Sequence, residues 1–184
     1  IPVHLYGQCA QMEEIMNIAK KHNLFVVEDT AQAIGSNYTF SDGNSKKAGT
    51  IGHIGTTSFF PSKNLGCMGD GGAMFTNDAA LAHRLTAIAN HGMSKRYYHD
   101  EVGVNSRLDS LQAAILRIKL KKLDEYNAAR LKAADYYSSK LDGINGVETP
   151  KINTCSTHVF HQYTLKLSPD INRDELQKYL SEKE

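Results

Sequence analysis

One lysine, Lys63, stands between an apolar run and a glycine-rich turn in the stretch from Ser58 to Gly72, Ser-Phe-Phe-Pro-Ser-Lys-Asn-Leu-Gly-Cys-Met-Gly-Asp-Gly-Gly. An amine that forms an imine near neutral pH must shed its proton, and apolar surroundings favour the neutral amine. Phe59, Phe60, Pro61 and Leu65 supply such neighbours, so the segment suits an aldehyde cofactor. An ordinary loop lysine would carry the same neighbours, and the rest of the chain decides between the two. Asp29 and Gln32 lie one turn apart and could reach a single ring. A carboxylate beside a pyridine nitrogen keeps it protonated, and the cationic ring then accepts electrons released at a substrate carbon. Asp29 also suits a cap on the turn after a strand, and Gln32 alone suits a structural role. Ser58 and Ser62 offer hydroxyls at a strand-to-turn junction, where exposed amides favour phosphate. Gly66, Gly69, Gly71 and Gly72 let backbone approach a flat ligand. No Gly-Lys-Ser/Thr ending follows, which disfavours a nucleotide phosphate loop.

These residues need elements to hold them. Ile1–Leu5 is a short apolar run broken by Gly7; Met12, Ile15, Met16 and Ala19 then recur at helical spacing up to Asn23. Leu24–Val27 predicts an apolar strand closing on Glu28-Asp29-Thr30. Strand, helix and apolar strand make a parallel crossover unit, whose strand ends open onto the ligand crevice of an α/β sheet. Residues 41–47 predict an exposed loop or hairpin tip, and Ile54–Phe60 and Ala73–Thr76 predict strands. Asn77-Asp78 caps a helix running to about Asn90. A loop rich in glycine and tyrosine follows, and 106–141 predicts a long helical stretch, either two helices or one bent helix. After Gly143 and Gly146 the character changes to a linker, an alternating strand over Val159–Leu167 and a capped helix from Asn172. The fold class is therefore α/β, with residues 1–142 as part of a large domain and 143–184 as the start of a small α+β domain. Ile1 opens inside a strand pattern without methionine, and the second unit is short, so the chain is expected to be a piece of a longer protein.

The chain has 184 residues, 41% hydrophobic content and a net charge of +1. This describes a globular unit with mixed charge and no electrostatic reason to bind nucleic acid. Cys9, Cys67 and Cys155 are odd in number and far apart, which argues against disulfides or a zinc cluster and fits a reducing, cytoplasmic setting. No apolar run approaches the roughly 20 residues that span a bilayer. His158 and His161 form a His-x-x-His; on a strand an odd separation puts them on opposite faces, so no metal site is expected.

Five segments resemble, in order, the DegT/StrS-type nucleotide-sugar aminotransferases. They are Ile-Pro-Val-His-Leu-Tyr-Gly-Gln, Val-Glu-Asp-Thr-Ala-Gln-Ala, Ser-Phe-Phe-Pro-Ser-Lys-Asn-Leu-Gly, Gly-Asp-Gly-Gly-Ala and Gly-Val-Asn-Ser-Arg-Leu-Asp-Ser-Leu-Gln-Ala-Ala-Ile-Leu. The resemblance covers essentially the whole chain. It implies the aspartate-aminotransferase fold and pyridoxal 5'-phosphate as cofactor, with Lys63 as the covalent attachment point. Asp29 would face the pyridine nitrogen, Gln32 the ring hydroxyl side, and Ser58 the phosphate. Asn105 would reach the phosphate in a partner subunit of a homodimer with shared sites, with Arg107 a weaker candidate. His161, Gln162 and Tyr163 resemble a segment beside the sugar substrate. Family members of this type carry a further phosphate turn and an aromatic stacking residue in a segment that precedes the position of Ile1. The implied reaction moves an amine from L-glutamate to a nucleotide-linked ketosugar, and Asn-Ser-Arg-Leu-Asp leans toward 3-keto sugars. Related dehydratases carry histidine where Lys63 stands, so the lysine favours transfer. A non-catalytic regulatory or assembly module with the same fold is the alternative.

Overall fold

The computed structural model describes residues 1–183. The helix α1, Met12–Lys21, buries Met12 and Ala19, with Ile15 and Met16 packed on the same core. Glu13 and Glu14 in its first turn and Lys20 and Lys21 in its last complement the helix dipole. Asn23 then takes φ 51°, a left-handed value that asparagine tolerates.

The strand β1, Val27–Asp29, is shorter than the apolar run predicted. Leu24 donates its N–H to Ala19 O at 2.8 Å and so belongs to the turn that closes α1. Phe25 stays exposed with its ring against His53. The hairpin β2–β3, Asn37–Thr39 and Ser45–Lys47, carries the expected tip. Strand β4, Ile54–Ser58, pairs in parallel with β1, Asp29 opposite Thr56. Val3 bridges Asp29 in parallel on the other side, completing the crossover through α1. Strand β5, Gly72–Phe75, runs antiparallel to β4 with Ser58 opposite Gly72, so the sheet is mixed and ordered β1-β4-β5.

Helix α2, Ala79–Ala89, starts where the Asp78 carboxylate accepts the N–H groups of Ala80 and Leu81. The hairpin β6–β7, Met93–Lys95 and Tyr98–His99, occupies part of the expected loop. Helix α3, Ser110–Lys119, begins later than the pattern suggests because Asp109 caps it through Leu111 and Gln112. A 3-10 turn, Leu120–Lys122, bends the stretch into α4, Leu123–Leu141. Strand β8, Val147–Glu148, pairs with β9, Lys166–Leu167, and Asn172 caps α5, Arg173–Ser181.

The predicted strand over Val159–Leu167 is reduced to its last two residues. Its early backbone groups are taken elsewhere: Val159 N–H by Gly7 O at 2.8 Å, and the Phe160 and His161 carbonyls by Arg130. Phe160 has φ 42°, incompatible with a strand. One buried cluster lies around Cys9, Met12, Val26, Tyr38 and Ile51, a second around Phe59, Leu65, Cys67, Leu116 and Leu123. Among the described residues no helix is long and apolar enough to cross a membrane.

Candidate active site

Asp29 is the last residue of β1, and both its backbone groups are fixed by the first segment of the chain. Its N–H donates to Pro2 O at 2.9 Å, and its carbonyl accepts His4 N–H at 3.0 Å. The carboxylate accepts Ala31 N–H through Oδ1 at 2.9 Å. The cap and the ligand role are therefore compatible, because Oδ1 serves the turn and Oδ2 is left over. Asp29 is half-buried and enters no ion pair among the described residues. Gln32 Oε1 accepts Tyr6 N–H at 2.6 Å, so its amide N–H groups remain available. Tyr6 sits at φ 61°, costly for a bulky residue. Gln32 holds the Tyr6 amide, and the Tyr6 carbonyl accepts Gln162 N–H at 3.3 Å.

Ser58 ends β4, two residues beyond the partner of Asp29 in the register. Its Oγ accepts Phe60 N–H at 3.2 Å, which leaves the hydroxyl proton free for an anion. The chain then folds tightly. Lys63 N–H donates to Phe60 O at 2.9 Å, and Cys67 N–H returns to Phe59 O at 2.8 Å. Only glycine fits at position 66, where a Cβ would lie 2.7 Å from Phe60 O and overlap Pro61 O as well. Lys119 Nζ donates to Gly66 O and ties the turn to α3. Lys63 is half-buried, and its amine enters no ion pair among the described residues.

The next residue, Asn64, is buried and anchors this turn. Its Nδ2 donates to Asn127 Oδ1 at 2.8 Å and to Val159 O at 3.0 Å. Its Oδ1 meets His161 Nδ1 at 3.2 Å. His161 is half-buried; burial, then the charges of Lys63 and Arg130, lower its pKa below the ordinary imidazole value. Gly7, at φ 121°, lets the first segment pass beneath it, since a Cβ there would stand 3.0 Å from His161 N and 2.8 Å from Phe160 N.

Two neighbouring residues face other partners. Tyr163 Oη bonds Ser138 Oγ of α4 at 2.9 Å, with its ring near Tyr137 and Phe160. His158 stacks on Phe160, accepts its N–H through Nδ1 at 3.0 Å, and is pushed by burial down to a pKa of about 4. The two histidines thus sit in irregular chain, so the face alternation expected of a strand does not apply to them. Each has its own partner, and no group of three metal-ligating side chains occurs among the described residues. Asn105 bridges Asn90 through the backbone, and its Oδ1 accepts Arg107 Nε–H at 3.4 Å. Both are exposed and line a groove with Thr56, Thr57, Asp70 and Gly72, a surface that Lys63 does not line.

Sequence reading missed four residues that set this geometry: His4, Gly7, Glu28 and Asn64. Glu28 is fully buried, and its carboxylate accepts four donors. They are His4 Nε2–H at 2.9 Å, Gly49 N–H at 2.9 Å, Ile51 N–H at 2.7 Å and Gly52 N–H at 2.5 Å. Burial opposes its ionisation, yet His4 and these amides hold its pKa below the ordinary carboxylate value. His4 Nδ1 accepts Ala10 N–H at 3.1 Å, so its proton lies on Nε2, toward Glu28. The only signal in the sequence was a charged residue inside an apolar strand.

The donor set fits pyridoxal phosphate. A free carboxylate oxygen, a free amide N–H pair, a hydroxyl with a spare proton and an amine without a counter-ion lie on the strand ends and adjoining turns. Those chemistries match a protonated ring nitrogen, a ring oxygen, a phosphate and an aldehyde. The model of the DegT/DnrJ/EryC1/StrS aminotransferase family matches residues 1–184. The chain belongs to this family. It is 50% identical over 184 residues to the pleiotropic regulatory protein of Geobacillus stearothermophilus, covering 99% of this chain and 47% of that one. It is 47% identical over 180 residues to the UDP-2-acetamido-2-deoxy-3-oxo-D-glucuronate aminotransferase of Pseudomonas aeruginosa, covering 98% and 48%. The crystal structure of S. venezuelae DesV in complex with a ketimine intermediate superposes with a TM-score of 0.90 at 42% identity, covering 98% of this chain and 47% of that chain. The chain thus spans about half the length of these DegT/DnrJ/EryC1/StrS relatives.

Proposed function

We propose that the protein is a pyridoxal-phosphate-dependent aminotransferase that moves an amine from an amino acid, L-glutamate, to a nucleotide-linked ketosugar for amino-sugar synthesis. The observation that carries this reading is the unpaired, half-buried amine of Lys63 on a turn that Asn64 bonds to Val159 O, while Val159 N–H and Gln162 N–H bond Gly7 and Tyr6 in the segment that fixes Asp29 and Gln32. The 3-oxo sugar named for the P. aeruginosa relative favours a 3-ketosugar.

When bound, pyridoxal phosphate supplies an electron sink that side chains lack. Asp29 offers Oδ2 to the ring nitrogen and keeps it protonated. Gln32 donates its free amide to the ring oxygen, and Ser58 donates its hydroxyl proton to the phosphate. Lys63 would hold the aldehyde covalently, and once released its amine would act as the base and acid that moves the proton from the substrate carbon to the cofactor carbon. His161 lies within electrostatic reach of that amine and, with Tyr163, whose hydroxyl Ser138 holds, contacts the sugar. Asn105 serves the phosphate of a second subunit in a homodimer with shared sites, a role supported by its groove having no lining from Lys63. Residues 1–142 form the cofactor-binding part and 143–184 the start of a smaller unit, in a cytoplasmic enzyme.

A regulatory module is the second reading, favoured by the name of the G. stearothermophilus relative. The retained Asp29, Gln32, Ser58 and Lys63 set speaks against it. Full-length protein mixed with pyridoxal phosphate should develop a visible absorbance band that L-glutamate bleaches and a 3-keto sugar nucleotide restores. No band at all would leave the regulatory reading standing and remove the enzymatic one.

A further inference from the structure

Two buried amides connect the lysine turn to α4 in a chain of hydrogen bonds whose direction is fixed at both ends. Asn127 Nδ2 meets the backbone carbonyl of Ile34 at 3.2 Å. A carbonyl only accepts, so the nitrogen of Asn127 faces Ile34 and its Oδ1 faces Asn64. Asn64 likewise meets the carbonyl of Val159 at 3.0 Å, so its nitrogen faces Val159 and Asn127. Its oxygen is then the atom left for His161 Nδ1, 3.2 Å away. An amide oxygen cannot donate. The contact therefore requires a proton on Nδ1, and a neutral ring protonated there carries a bare lone pair on Nε2.

We propose that Asn64, oriented by Asn127, is a positioning residue that pins the proton of His161 on Nδ1 and so leaves Nε2 as an acceptor for a hydroxyl group of the sugar substrate. The sugar part rests on the transferase reading above; the tautomer does not. Two features favour the neutral ring that this needs, and two more place it. It is half-buried, and the two cations that face it are Lys63, from the turn after β4, and Arg130, from α4. Arg130 Nη1 donates to Phe160 O at 3.2 Å and to His161 O at 3.4 Å, and so holds the backbone that carries the ring. Gly7 removes the side chain that would push the same backbone away. A neutral acceptor beside a lysine suits a hydroxyl donor, because a protonated imidazole would repel the amine's charged form and offer no lone pair.

The test is nitrogen NMR of full-length protein labelled with 15N-histidine, with the His161 resonances assigned by their loss in His161→Gln. At pH 8 the account predicts a protonated Nδ1 and a bare Nε2. A proton on Nε2, or on both nitrogens, would overturn it, and this readout needs neither cofactor nor turnover. Asn64→Ser is expected to release the proton to the mixture of tautomers found in free histidine; retention of Nδ1–H in that variant would overturn the role of Asn64. If Asn64→Ser does not fold, the wild-type spectrum still decides the tautomer, and Asn127→Ser reports whether the second amide orients the first. For the sugar contact, Asn64→Ser should lose at least tenfold more in kcat/KM on the ketosugar half-reaction than on the glutamate half-reaction. Equal losses on both halves would remove the sugar contact while leaving the tautomer assignment intact. Absence of any transamination by wild-type protein would remove the transferase reading and the sugar contact with it, and would not touch the NMR result.

Discussion

Replacing Glu28 by glutamine keeps the size of the side chain and changes only its hydrogen-bonding sense, so the outcome can be worked out from four contacts. Oε2 accepts from His4 Nε2 and Gly49 N; Oε1 accepts from Ile51 N and Gly52 N. Whichever way a glutamine amide is turned, its NH2 group confronts two N–H donors that have lost their acceptor. His4 cannot relieve this by moving its proton, because Nδ1 already accepts Ala10 N–H. Each buried donor left unsatisfied costs about 1–3 kcal/mol, so two cost about 2–6 kcal/mol. For a folding unit of this size that lowers the melting midpoint by roughly 4–24 °C. Thermal and urea unfolding of Glu28→Gln against wild type measure it. The pH dependence supplies a second check. Because the folded pKa of Glu28 is held down, its stabilising contribution is present above the unfolded value of about 4.3 and is lost as pH falls through the folded value. The gap between wild type and Glu28→Gln should therefore narrow in acid. A variant within about 1 kcal/mol of wild type at neutral pH, or a gap that does not narrow, would refute the reasoning.

Two further outcomes concern Gly7 and His158. Gly7→Ala forces a Cβ at φ 121° to within 2.8 Å of Phe160 N, and should lower stability by roughly 1–3 kcal/mol and raise KM for the sugar through displacement of His161; an unchanged melting curve would contradict it. His158, with its pKa depressed to about 4 by burial, makes the unfolded chain bind the proton first, so stability should fall as pH drops from about 6.5 toward 4 by on the order of 3 kcal/mol. His158→Asn should flatten that limb in an acid unfolding series, and an unaltered slope would count against the assignment.

Much of the site was legible along the chain because its parts are local. Lys63 on a glycine-closed turn, Asp29 at a strand end, and the caps at Asp78 and Asn172 each depend on neighbours within a few positions. What held those parts together was not legible. Asn64 and Asn127 stand 63 positions apart, and His4 and Glu28 stand 24 apart, with no periodicity to mark either pair. Val159–Leu167 misled for a related reason. Alternation of apolar side chains predicts a strand only where the backbone finds a neighbouring strand. Here Gly7 O, the Asn64 side chain and Arg130 take the groups that a ladder would use. Asn105 lies at the opposite limit: its motif reads plainly, yet Lys63 is not among the residues that line its groove.

The central claim is that the amine of residue 63 carries the cofactor. Full-length protein should be incubated with pyridoxal phosphate, reduced with borohydride, digested and analysed by peptide mass spectrometry. The account predicts one stoichiometric pyridoxyl adduct, on Lys63, and none in Lys63→Ala. An adduct on a different lysine, or an unmodified Lys63 peptide in wild-type protein, would contradict it.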